Sequence, residues 1–125
     1  MKILLIMLAV GLGAALPSTA AAQGDCSQLT ERYDRLSRTM ASNYARGVAD
    51  NSAPRAAVRA TEENTIMLEA QILLTLMQAK KCTLPDGPPS SAAYLGAALA
   101  CQTELIGNRS RDLPASCKME TWTKD

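Results

Sequence analysis

The 125 residues contain no histidine and no phenylalanine. Without histidine, Ser-His and Cys-His nucleophile pairs are impossible. The common zinc sites are excluded too, except one built from cysteine alone. The four cysteines, Cys26, Cys82, Cys101 and Cys117, lie far apart in sequence. None has the paired spacing of such a zinc site, of a thioredoxin-like redox motif or of a haem attachment site. A glycine-rich phosphate loop is missing. Charge of one sign is missing as well: 13 Lys and Arg stand against 12 Asp and Glu. That removes the basic footprint of a general nucleic-acid binder. With one Trp and three Tyr as the only aromatics, the core must be aliphatic. Carboxylates are scattered, and Met40, Met67, Met77 and Met119 lack clustered copper-binding spacing. An enzyme is not expected, nor is a cofactor or a metal.

What is present begins with an export signal. Lys2 supplies a positive start, Ile3 to Leu16 an apolar core, Pro17-Ser18-Thr19 a break, and Ala20-Ala21-Ala22 a small-residue cleavage site. Residues 1–22 read as a signal peptide, too short in its apolar run for a stable membrane span. A lipoprotein anchor needs Cys at the cut, but Cys26 follows Gln23-Gly24-Asp25. Residues 23–125 are expected as one helical domain, periplasmic or secreted, with no stable membrane anchor. Without Lys2 its charge balances. An even number of cysteines in an exported chain predicts two disulfides.

Hydrophobic periodicity divides this domain into three helices. Asp25 with Gln28 three residues later resembles a capping box. Behind it, Leu29, Tyr33, Leu36, Met40 and Tyr44 form an apolar stripe that should end near Gly47. The opposite side carries Glu31, Arg32, Asp34, Arg35 and Arg38, read as a solvated face with ion pairs four residues apart. Asp50-Asn51-Ser52-Ala53-Pro54 is a turn, and a second helix is predicted over 54–81. Arg55 and Arg59 oppose its dipole, with Glu62 and Glu63 expected to relieve them. From Ile66 to Ala79 it is apolar on most of its circumference, with Gln71, Thr75 and Gln78 as a narrow polar sector. Such a helix is normally the centre of a bundle. Glu62 and Glu69 interrupt its apolar side, and each needs a partner, a proton or solvent.

Thr83-Leu84-Pro85-Asp86-Gly87-Pro88-Pro89 is a rigid connector. Ser90 or Ser91 caps a third helix at about 91–106, small-sided through Ala92, Ala93, Gly96, Ala97, Ala98 and Ala100. The tail, 108–125, carries Pro114 and Cys117 and should be pinned, not helical. Trp122 there reads as a lid over the bundle, with a partner contact as the alternative. The expected fold is an all-α three-helix bundle: a helical hairpin, a third helix and a pinned tail. Of three possible disulfide pairings, an antiparallel hairpin favours Cys26–Cys82, which leaves Cys101–Cys117 to hold the tail.

Tyr44-x-x-Gly47-x-x-Asp50, followed by Cys82-Thr83-Leu84-Pro85-Asp86-Gly87, resembles small periplasmic helical immunity proteins that neutralise cell-wall amidases. The resemblance covers those positions, and no functional residue is carried over from it. Three functions compete. One is a non-enzymatic module that binds another envelope protein, with Glu62, Glu69 and Trp122 as candidate contacts. Another is a small-ligand carrier with a pocket between helices 2 and 3, faced by Glu69. The immunity-type inhibitor of an envelope enzyme is the third. Oligomeric state is left open.

Overall fold

The computed structural model describes residues 24–125. The signal peptide expected at 1–22 lies outside them. Helix α1 spans Cys26–Ala49. Its start is the capping box read from the sequence: Gln28 N donates to Asp25 Oδ1 at 2.9 Å, and Asp25 N donates to Gln28 Oε1 at 3.2 Å. A cap of this kind contributes about 1 kcal/mol. α1 runs past Gly47 instead of ending there. An ideal Cβ at Gly47 would lie 3.0 Å from Arg59 Nε. Glycine at that position leaves room for the close approach of the flexible Arg59 side chain.

Helix α2 spans Ala53–Ala79. Arg55 and Arg59 find relief in Asp50, not in Glu62 and Glu63. Arg59 Nη1 donates to the Asp50 carbonyl at 2.8 Å, and Arg55 Nε lies 3.6 Å from Asp50 Oδ2. From Ala53 to Thr65 no residue is buried; Ile66, Ala70, Leu73 and Met77 supply the buried face. The helix ends by folding back. Lys81 takes φ 57°, Lys81 N donates to Gln78 O, and Cys82 N donates to Met77 O. These are the two hydrogen bonds of a Schellman cap. A lysine in that left-handed position costs about 1–2 kcal/mol of local strain. The reversal sets Cys82 beside Cys26, with Cα atoms 5.5 Å apart in a disulfide.

A loop from Thr83 leads to Ser90, whose Oγ accepts from Ala92 N and caps a 3₁₀ turn over Ser91–Tyr94. Helix α3 follows over Leu95–Gly107. The tail makes two further 3₁₀ turns, Ala115–Cys117 and Met119–Thr121. The Cys101–Cys117 disulfide pins it to α3. Asp125 also anchors it, accepting from Gly96 N at 2.7 Å through its carboxylate. The fold is the predicted all-α bundle with the two predicted disulfides.

The expected centre is displaced. α1, not α2, is the scaffold. On one side Leu29, Tyr33 and Leu36 pack on Ile66, Ala70, Leu73 and Met77 of α2. About a third of a turn round α1, Ala41 and Ala45 meet Tyr94, Ala98, Cys101, Cys117 and Trp122. α2 and α3 make few contacts with each other. The cause is side-chain size: the alanines of α1 and α3 let their axes approach closely. That second face of α1 carries little hydrophobic bulk, so the leucine-rich helix draws attention away from it.

Candidate functional site

With α2 on the outside of the bundle, its apolar circumference cannot all be buried. Leu68 is 62% exposed and Ile72 60%, one turn apart on the side facing away from α1. Met67 and Leu84 are exposed beside them. From Asn64 to Ala79 the only charge is Glu69. Glu69 does not sit in a pocket between α2 and α3. It points back along the seam with α1, where Arg32 Nη2 lies 3.5 Å from its Oε1. Both groups are close to half exposed, so the pair contributes less than about 1 kcal/mol. Its effect is to leave the outer face of α2 uncharged.

The Thr83–Ser90 loop extends this face. It is fixed by the disulfide at Cys82, by Tyr33 Oη donating to Gly87 O at 2.8 Å, and by Ser90 N donating to Ser37 Oγ at 3.3 Å. Burial pushes the Tyr33 phenol above its ordinary value, so it stays a donor at neutral pH. Between loop and α2 lies a mostly apolar groove of about 360 Å³, lined by Met67, Ala70, Leu74, Leu84 and Pro88 with Gln71 and Gln78. On the loop's other side, a cleft of about 400 Å³ opens against α1, lined by Thr30, Asp34, Ser37 and Lys124.

Asp34 and Arg38 are not on a solvated face. The Asp34 side chain is 13% exposed. Arg38 Nη2 lies 2.9 Å from Asp34 Oδ2, and Lys124 Nζ lies 2.8 Å from Oδ1. Tyr94 Oη donates to Asp34 Oδ2 and accepts from Arg38 Nε at 3.2 Å. Burial raises the Asp34 pKa. The bonds from Lys124 and Tyr94 and the charges of Lys124 and Arg38 outweigh it, and the carboxyl ends below its ordinary value. All four groups are engaged with one another, an arrangement that joins α1, the 3₁₀ turn and the tail.

The remaining predicted site residues separate. Trp122 is 6% exposed; its Nε1 donates to Ser116 O at 2.8 Å inside the α3 core. It presents no surface to a partner. Glu62 lies at the opposite end of the bundle, beside Arg46 and Asn43. All four cysteines are bonded. Among the described residues no group of three or more Cys, Asp or Glu is placed to hold a metal ion. No helix among them is long and apolar enough to cross a membrane. Leu68, Ile72 and Leu84 were not singled out by sequence reading. The available signal was the apolarity of α2 on both sides, which serves equally for a central helix and for a peripheral helix with a partner. No family model, no curated protein and no solved structure matches the chain.

Proposed function

We propose that the protein is a non-enzymatic binding module of the cell envelope that takes an amphipathic helix of another protein along the outer face of α2. The observation that carries this reading is the exposure of Leu68 and Ile72 on an uncharged helix face, with an apolar groove farther round α2 under the Thr83–Ser90 loop. Exposed apolar side chains grouped in this way, with only the uncharged Gln71, Thr75 and Gln78 between them and the groove, mark interaction sites. The stretch from Asn64 to Ala79, whose one charge is Glu69 at the seam with α1, is about 24 Å long at 1.5 Å per residue, the length of a helix-in-groove contact. Its ends are charged, Glu62 and Glu63 at one and Lys80 and Lys81 at the other, which would set the direction of the bound helix. Two disulfides are in keeping with an oxidising compartment.

The test pairs the oxidised wild-type protein with Leu68→Glu/Ile72→Glu in a pull-down from an envelope extract, followed by binding of the captured partner's amphipathic segment as a peptide. Both side chains are already mostly in water, so the double variant should keep its melting temperature within a few degrees. Its peptide affinity is expected to fall at least about a hundredfold, two buried apolar anchors having become charges. Equal affinity of wild type and variant sinks the reading.

The carrier alternative has a specific feature in its favour, the cleft of about 400 Å³ beside Thr30 and Ser37, although that cleft lies between α1 and the loop. A co-purified adduct in native mass spectrometry would favour it.

A further inference from the structure

A different part of the molecule carries an unsatisfied donor. Asn43 is 5% exposed, and its Nδ2 is buried with no hydrogen-bond partner. A buried amide left in that state costs about 1–3 kcal/mol, and such a group calls for a missing acceptor. Asn43 lines two adjoining clefts where α1 ends and α2 begins, of about 250 and 370 Å³. Arg46 and Glu62 line both of them as well.

The charges there are unspent. Arg46 and Glu62 share the same clefts, yet neither forms an ion pair with any described residue; the pairs formed in this region involve Arg55 and Asp50. Arg59 borders the smaller cleft. Its Nη1 is held by the Asp50 carbonyl, and its Nε lies against Gly47. The guanidinium is thus positioned by backbone and carries no carboxylate partner among the described residues. α1 therefore offers the buried Asn43 amide and the Arg46 guanidinium, and α2 offers the Arg59 guanidinium and the Glu62 carboxylate. The apolar lining is Val58 and Leu105 in the smaller cleft and Ile66 and Met119 in the larger; the smaller is also bordered by the paired Asp50 and Arg55, the larger by the hydroxyls of Thr39, Ser42, Thr61 and Thr65.

We infer that these clefts bind a small zwitterion with an aliphatic body, the chemistry of a free leucine-like amino acid. The ligand carboxylate accepts from Asn43 Nδ2 and from the guanidiniums of Arg46 and Arg59. Guanidinium forks match a carboxylate in two parallel hydrogen bonds. The ammonium faces Glu62, and the aliphatic part lies on Val58 and Leu105 or on Ile66 and Met119. A ligand with only one of the two charges leaves either Arg46 or Glu62 unanswered.

Titration of the oxidised protein, followed by amide chemical shifts, uses four probes: L-leucine, 4-methylpentanoate, isopentylamine and inorganic phosphate. L-Leucine is expected to bind at millimolar concentration or below, and to shift the Asn43 side-chain amide. The two single-charge analogues should bind at least about tenfold more weakly, one charge-assisted hydrogen-bond set being lost. Asn43→Leu separates ligand binding from structure. An unpartnered amide replaced by an apolar group of its own shape leaves stability equal or higher, while leucine binding should disappear. Arg46→Gln, at an exposed position, must also weaken leucine at least about tenfold, and it keeps the test decisive if Asn43→Leu does not fold. Glu62→Gln should erase the preference for L-leucine over 4-methylpentanoate. Binding of none of the probes overturns the inference. So does leucine binding unchanged in Arg46→Gln, or phosphate binding as tightly as leucine.

Discussion

Replacing Cys26 and Cys82 together by alanine is expected to lower the unfolding free energy by about 4 kcal/mol, the entropy of releasing a loop of this length in the unfolded chain. The bond spans 56 residues and joins the start of α1 to the end of α2. The same substitution at Cys101 and Cys117, a separation of 16, releases a shorter loop worth about 3 kcal/mol. Those two sulfurs are buried in the α3 core, so a cavity adds to that cost. A domain of this size has about 5–15 kcal/mol in total, and loss of the first bond alone leaves it marginal. Urea unfolding of the two double variants measures both effects. Cys26 is exposed, whereas Cys101 and Cys117 are buried. Limited reductant should therefore open Cys26–Cys82 first, which mass spectrometry of trapped thiols will show. Equal stability of wild type and the Cys26/Cys82 variant would mean that the hairpin closes without its disulfide.

Asp34→Ala is expected to cost about 3 kcal/mol, because it strands the Tyr94 hydroxyl and leaves the largely buried Arg38 only the exposed Glu31, 3.5 Å away. Asp34→Asn, which keeps an acceptor for Tyr94, should cost about half as much. The pH dependence follows from the direction of each shift. The Asp34 carboxyl is lowered in the folded protein, so its contribution is complete above the ordinary value of 3.8 and is lost as pH falls through the lower folded value. Burial, then the bond to Asp34, raises the Tyr94 phenol above 10.0; the bond to Asp34 raises Lys124 above 10.5. Their contributions are complete below those ordinary values and are lost as pH rises through the raised ones. The difference in stability between wild type and Asp34→Ala should therefore be flat between about pH 5 and pH 9, and shrink at both ends. A difference that persists unchanged at pH 2.5 would assign the cost to packing instead.

The two effects differ in how far the sequence announces them. The Cys26–Cys82 pairing follows from helix lengths and an antiparallel hairpin, since only a cysteine near each free end can close it. The excess length of the second helix also implies that Cys82 must fold back to reach Cys26; that the chain turns at Lys81 is not legible, because a left-handed lysine has no local signature. Asp34 and Arg38 are visible as a pair four residues apart, but their burial depends on Tyr94, 60 residues away from Asp34, and on Lys124 in the tail. The position of α2 outside the bundle was hidden for a similar reason. Ala41 and Ala45 carry too little side chain to register as a core face, and their meaning appears only once α3 lies against them. Of the candidate contacts, Glu69 and Trp122 are placed by partners distant in sequence, Glu69 by Arg32 and Trp122 by the core of Ala41, Ala45 and Ala98. Only Glu62 remains beside a cleft.

α1 belongs to both cores, whereas α2 and α3 belong to one each, and the first half of α2 belongs to neither. No side chain of residues 53–65 is itself buried. Such a segment opens at far lower cost than the whole domain. Backbone amides there should exchange with deuterium orders of magnitude sooner than those of Leu29 to Ala45, which become free only when both cores separate. The bundle thus has a slow spine and a fast outer arm, with the cleft of Asn43, Arg46 and Glu62 at the joint between them. Whatever occupies that joint would be felt first as slower exchange in the arm.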